Sequence, residues 1–105
     1  MMTEQAVLKV VLHAPTADAL QRARSNAGNL LRDEPDAHVR IVLNAQAVLA
    51  ALDEPQAQLD AITWLCPNTL KRANRQNRAP LQVLPQGAIV ELARLQQSGW
   101  VYIRA

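Results

Sequence analysis

Strand-like and helix-like segments alternate along the whole chain, with connections of only a few residues between them. "AVLKVVLHA" (6–14) has the length and valine content of a buried strand, interrupted only by Lys9. After "PT", Leu20, Ala23, Ala27, Leu30 and Leu31 recur at helical spacing, with Arg22, Arg24 and Arg32 placed outside that stripe. "DEPD" ends this helix, because Pro35 cannot continue it and disfavours helical geometry at Glu34. "HVRIVLN" (38–44) is a second strand, and "AQAVLAAL" (45–52) a short helix closed by a second "DEP". "LDAITWL" (59–65) is a third strand running into Cys66. "PNTLKRANRQ" then reads as a third helix with Pro67 at its first position, where a missing N–H is harmless. "LQVL" (81–84) is a fourth strand. "PQGAIVELARLQQSG" (85–99) is a helix with Gly99 as its stop, and "WVYI" (100–103) a fifth strand.

The order β-α-β-α-β-α-β-α-β predicts an α/β fold of three layers, a mostly parallel five-stranded sheet with helices on both faces. A chain of 105 residues makes one such domain, 1–105, burying roughly 60–70% of its unfolded surface. Phe is absent, so the core is built from Leu, Val, Ile and Ala. No stretch reaches the roughly 18 apolar residues of a membrane span, and the opening residues lack the basic and small-residue pattern of a cleaved leader. The expectation is a cytoplasmic protein without membrane partners. A lone cysteine forms no intramolecular disulfide and asks for no oxidising compartment.

In parallel α/β sheets, function gathers where the carboxyl ends of strands meet the following helices, and Cys66 sits at such a junction. Charge is uneven around it. Residues 1–60 carry five Lys or Arg against eight Asp or Glu, and residues 61–105 carry six against one. As the N-cap of the third helix, a Cys66 thiolate is favoured by the helix dipole by about 0.3–2 kcal/mol, up to about 1.5 pKa units at about 1.36 kcal/mol each. Lys71 and Arg72 are placed to add to that effect. Arg75 and Arg78 read as solvent-facing cations near the helix end. The alternative for Cys66 is a small buried hydrophobe, the usual state of a free cysteine.

His13 ends the first strand on the same sheet edge, as a partner of Cys66 or as a polar strand-end residue, whereas His38 lies at the opposite end. Trp64, on a central strand, is expected in the core. No Cys or His pair has metal-ligand spacing, and no glycine-rich phosphate loop follows a strand, so neither metal nor cofactor is expected. The basic run "KRANRQNR" offers phosphate contacts and makes RNA binding through the third helix a weaker alternative, but few aromatics are available for stacking on bases and such a run usually faces solvent.

"LCPNTL" at the end of the third strand, "NLL" late in the first helix, and the tail "VLPQGAIVELARLQQSGWVYIRA" together resemble the DsrE/DsrF-like proteins of intracellular sulfur oxidation and sulfur relay. The resemblance spans nearly the whole chain, from "VVLHA" to "WVYIRA". It implies a three-layer domain, assembly into homo-oligomers (trimers or hexamers), and a cysteine that accepts sulfane sulfur as a persulfide from a donor protein and passes it to an acceptor. Cys66 matches that cysteine. Asn68 and Thr69 match the residues after it, which would hold the persulfide anion. Two departures stand out. The loop after the second strand reads "LNAQAV" where relatives often carry glycine, and Pro67 removes one amide donor. A noncatalytic oligomeric binding or assembly subunit of the same fold, with a structural Cys66, is the competing reading.

Overall fold

The structure, a computed structural model, describes residues 6–105. The sequence reading of the chain's first residues as no leader falls partly on residues 1–5, outside the described residues. Ten elements follow in chain order: β1 (Lys9–Ala14), α1 (Ala17–Asp33), β2 (His38–Leu43), α2 (Gln46–Asp53), α3 (Ala57–Asp60), β3 (Thr63–Leu65), α4 (Pro67–Ala73), β4 (Gln82–Val83), α5 (Ala88–Gln97) and β5 (Val101–Arg104). The strands form one sheet in the order β4-β3-β2-β1-β5, and every pairing is parallel.

The order explains the layering. From β1 through β4 the chain steps one way across the sheet, and then β5 returns to the far side of β1. Because βαβ crossovers are right-handed, helices made while stepping one way share a face, and the helix of the return step falls on the other. Two separate apolar clusters reflect this. The larger joins Val10, Leu12, Ile41, Leu43 and Leu65 of the sheet to Ala19, Leu20, Ala23 and Ala27 of α1, Val48 and Ala51 of α2, Leu59 of α3 and Leu70 of α4. The smaller joins Val11, Val42 and Cys66 to Ala88, Leu92 and Leu95 of α5, with Trp64 and Trp100 packed against it. Ala at 19, 23, 27, 47 and 51 lets α1 and α2 approach closely, which is how a core without Phe stays dense.

Helix ends follow the residues. Thr16 caps α1 by accepting the Ala19 amide at 3.0 Å. Both α1 and α2 end in "DE" before a proline, at Asp33 and Asp53. Gly99 takes a left-handed φ of 92°, with Trp100 N donating to Leu95 O and Gly99 N to Gln96 O. This paired closure, which sets Trp100 against Leu95, is the reason glycine stands there.

Five sequence expectations are corrected. Residues 59–62 belong to α3 and a turn, not to a strand, because Asp60 turns inward and Thr63 Oγ donates to Leu59 O at 2.8 Å. The third helix stops at Ala73, with Asn74 in the left-handed conformation that asparagine tolerates. Arg24 lies on the buried stripe, four residues after Leu20, and is 7% exposed. Arg78 is outside any helix and turned inward: its guanidinium donates to Asp60 Oδ2 (2.8 Å), Ala51 O (2.6 Å) and Leu52 O (3.1 Å). Trp64, placed in the core by its strand, is only half-buried.

Asp60, 1% exposed, thus meets Arg78 at 2.8 Å and Arg24 at 3.6 Å, and accepts the Gln56 amide at 3.1 Å. Arg24 in turn donates to Glu54 O at 2.7 Å. Removing one partner of a buried ion pair costs about 3–5 kcal/mol because the other charge is left uncompensated. Asp60→Ala is therefore expected to lower unfolding free energy by about 3 kcal/mol or more, read as a fall in the urea midpoint at unchanged slope.

Candidate functional site

Three chain segments meet at the carboxyl end of β3. Hydrogen bonds hold the strand ends in line: Cys66 N donates to Leu43 O at 2.9 Å and Leu84 N to Leu65 O at 3.0 Å. Cys66 is the N-cap of α4, with extended backbone and Pro67 next. The start of α5 approaches from the other side. Between them opens a cleft of about 390 Å³ lined by Asn44, Ala45, Cys66, Asn68, Thr69, Arg72 and Gly87–Val90.

Cys66 is only 6% exposed, yet it forms part of the cleft wall. Its acidity reflects two opposed influences. Burial pushes the thiol up, but the backbone amides of Ala88, Thr69 and Asn68 and the Thr69 side chain favour the thiolate and bring the net value below that of an ordinary thiol. Hydrogen-bond donors, not cations, produce the depression. Of the expected cations, Arg72 lines the cleft, whereas Lys71 is exposed and does not. Asn68 lies at the mouth against Gly87, where an added Cβ would sit 3.0 Å from Asn68 Nδ2. Glycine at 87 therefore lets α5 start close to α4.

The β2–α2 loop supplies the remaining wall. Ala45 takes φ 50°, ψ −139°, a conformation that side chains other than glycine adopt at a cost. Its amide donates to Thr69 Oγ at 3.2 Å, leaving the Thr69 hydroxyl proton free for Cys66. The backbone geometry that glycine would relax is thus occupied by alanine and held from α4.

His13 does not line the cleft with Cys66. Its two ring nitrogens are engaged, Nδ1 with Tyr102 Oη at 2.6 Å and Nε2 with Asn44 Oδ1 at 3.0 Å. The neutral tautomer with a proton on Nε2 satisfies both, since Tyr102 donates to Nδ1 and Nε2–H donates to Asn44. His13 therefore positions Asn44, which does line the cleft. The amide of Ala88 and the role of Asn44 were not legible before folding, because α5 and β2 are brought to Cys66 only by strand order.

Among the described residues, no three His, Cys, Asp or Glu side chains gather as a metal site, and no helix is long and apolar enough to cross a membrane. Compared with family models and with curated proteins, the chain matches none.

Three expectations follow. Alkylation of Cys66 by a small reagent should reach half its maximal rate at a pH below the ordinary thiol value of about 8.5. Thr69→Val removes a donor to the thiolate, so the same midpoint should move to higher pH. Ala45→Gly relieves the positive-φ cost, of order 1–3 kcal/mol, against an entropic loss of about 0.4–1. A rise of about 1 kcal/mol, or roughly 4 °C in thermal midpoint, is expected by calorimetry.

Proposed function

We propose that the protein is a sulfur carrier of DsrE/DsrF type in which Cys66 accepts sulfane sulfur as a persulfide and hands it to a partner thiol. The observation that carries this reading is the placement of one buried sulfur at the N-cap of α4 in a cleft wall, where the amides of Ala88, Thr69 and Asn68 and the Thr69 side chain favour its anion. A purely packed cysteine needs none of them. The same donors would stabilise the terminal anion of a persulfide, which is displaced by one bond into the cleft bounded by Asn68 and Thr69.

The transfer balances without an oxidant. The Cys66 thiolate attacks the outer sulfur of a donor persulfide, R–S–SH. A new S–S bond forms at Cys66, the donor S–S bond breaks, and R–S⁻ leaves with the electron pair. The proton stays on the transferred sulfur until the cleft donors favour its release. In the onward step the acceptor thiolate attacks that outer sulfur and Cys66 is the leaving thiolate. A low thiol pKa makes Cys66 the better leaving group. One cysteine suffices for both steps, because donor and acceptor each bring their own.

A second reading is favoured by a different observation, the 6% exposure of Cys66. In it the chain is a noncatalytic binding or assembly subunit and the sulfur is packing. Assembly into trimers or hexamers and a cytoplasmic place belong to the proposal in either form. Incubation with a low-molecular-weight persulfide, followed by intact-mass analysis, separates the two. The carrier reading predicts a gain of one sulfur atom that is absent in Cys66→Ser and is removed by an added thiol. No gain in the folded wild type, with full reaction in denaturant, would establish the second reading.

A further inference from the structure

α5 packs through Ala88, Leu92 and Leu95 over Val11, Val42 and Cys66 and leaves part of its face of the sheet uncovered. At the opposite ends of the strands the same face is open, as a cleft of about 390 Å³ lined by residues 36–40, Ala61, Ile62, Trp64 and Trp100. His38, Arg40 and Val42 alternate onto this face, and Val42 is opposite Trp64 in the register. Arg40 lies over both indoles, its guanidinium carbon 5.0 Å from the Trp64 centroid and 5.2 Å from that of Trp100.

Arg40 is half-buried, and among the described residues it has no ion-pair or hydrogen-bond partner. The contrast with Arg24, Arg75 and Arg78, each of which meets a carboxylate, is plain. Two rings take water from the faces of the Arg40 cation and hold it in place, leaving its in-plane N–H groups as the donors still to be met. Such a fork fits a planar carboxylate bidentately. Indole surface beside it suits an apolar body attached to that carboxylate. Asp36, on the same cleft but, among the described residues, not in an ion pair with Arg40, opposes anions of higher charge. His38 adds a polar side chain at the rim.

We infer that this cleft is a binding site for a small monocarboxylate with an aromatic or branched apolar body, held by Arg40 against Trp64 and Trp100. It is separate from the Cys66 cleft and does not depend on sulfur chemistry. Both tryptophans of the chain lie in it, so intrinsic fluorescence reports on this site without background.

The test is titration of the full chain with phenylacetate, followed by tryptophan emission and the indole N–H resonances, with 2-phenylethanol and inorganic phosphate as comparison probes. A saturable change with phenylacetate is expected at millimolar concentration or below, and the neutral alcohol should bind about tenfold or more weakly, the worth of a charge-assisted hydrogen bond. Arg40→Gln should lose the difference between acid and alcohol. Arg40→Lys, which keeps a cation against the rings but not the fork, should fall between the two. Circular dichroism and the Cys66 alkylation rate verify that each variant is folded. Equal binding of acid and alcohol, wild-type binding by both Arg40 variants, or no saturable change at millimolar phenylacetate would overturn the assignment. Phosphate binding as tightly as phenylacetate would overturn the carboxylate class.

Discussion

A carboxylate at 1% exposure must be compensated where it stands, and Asp60 is compensated by arginines from two separate parts of the chain. Arg24 comes from the middle of α1 and Arg78 from the segment leading to β4. Each of these arginines also closes open carbonyls at the end of α2, Glu54 O for Arg24 and Ala51 O and Leu52 O for Arg78. Helix ends leave such carbonyls without partners, so one buried charge serves as the anchor for two guanidiniums that finish a neighbouring helix. Asp60 also decides where β3 begins. Because α3 ends on it, the strand is cut to three residues and delivers Cys66 one residue beyond the Leu43–Leu65 pair, where its amide donates to Leu43 O.

The return of the chain from β4 to β5 has the next largest effect. It leaves α5 alone on one face, where four helices contribute to the other. A single ten-residue helix spans about 15 Å and cannot cover five strands. What it leaves uncovered is the cleft of Arg40, Trp64 and Trp100, while the Cys66 cleft lies between its first turn and α4. These openings are therefore products of topology, not of loops added to a complete fold.

The layout was legible in the sequence wherever period and punctuation agreed. Strand-like runs, the two "DEP" stops, Pro67 and Gly99 locate most elements, and the strand-to-helix junction at Cys66 was readable from spacing alone. Lost were features that depend on partners distant in sequence. Arg24 sits at helical spacing from Leu20, so its burial was implicit in the period, but no local signal says that a guanidinium there will find Asp60. Arg78 looked like one more member of a basic run. Cys66 was placed correctly, yet the agents expected to acidify it, Lys71 and Arg72, are not those that do so. Amides near in space, including that of Ala88 from the far helix, replace them. The strand position of Trp64 points to the core, and the uncovered part of the second face is why it instead rests beside Arg40.

β5 gives the fold a temporal asymmetry. Its pairs with β1, from Val10 with Val101 to His13 with Arg104, join the strands farthest apart in sequence. During synthesis from the amino end, β2, β3 and β4 can line up beside β1 as they emerge. The opposite edge of β1 stays open until the ribosome has passed residue 104, because no earlier strand in the order can fill it. A nascent chain therefore carries an apolar strand with one free edge through most of its production, the kind of surface that holding chaperones bind and that pairs wrongly between chains.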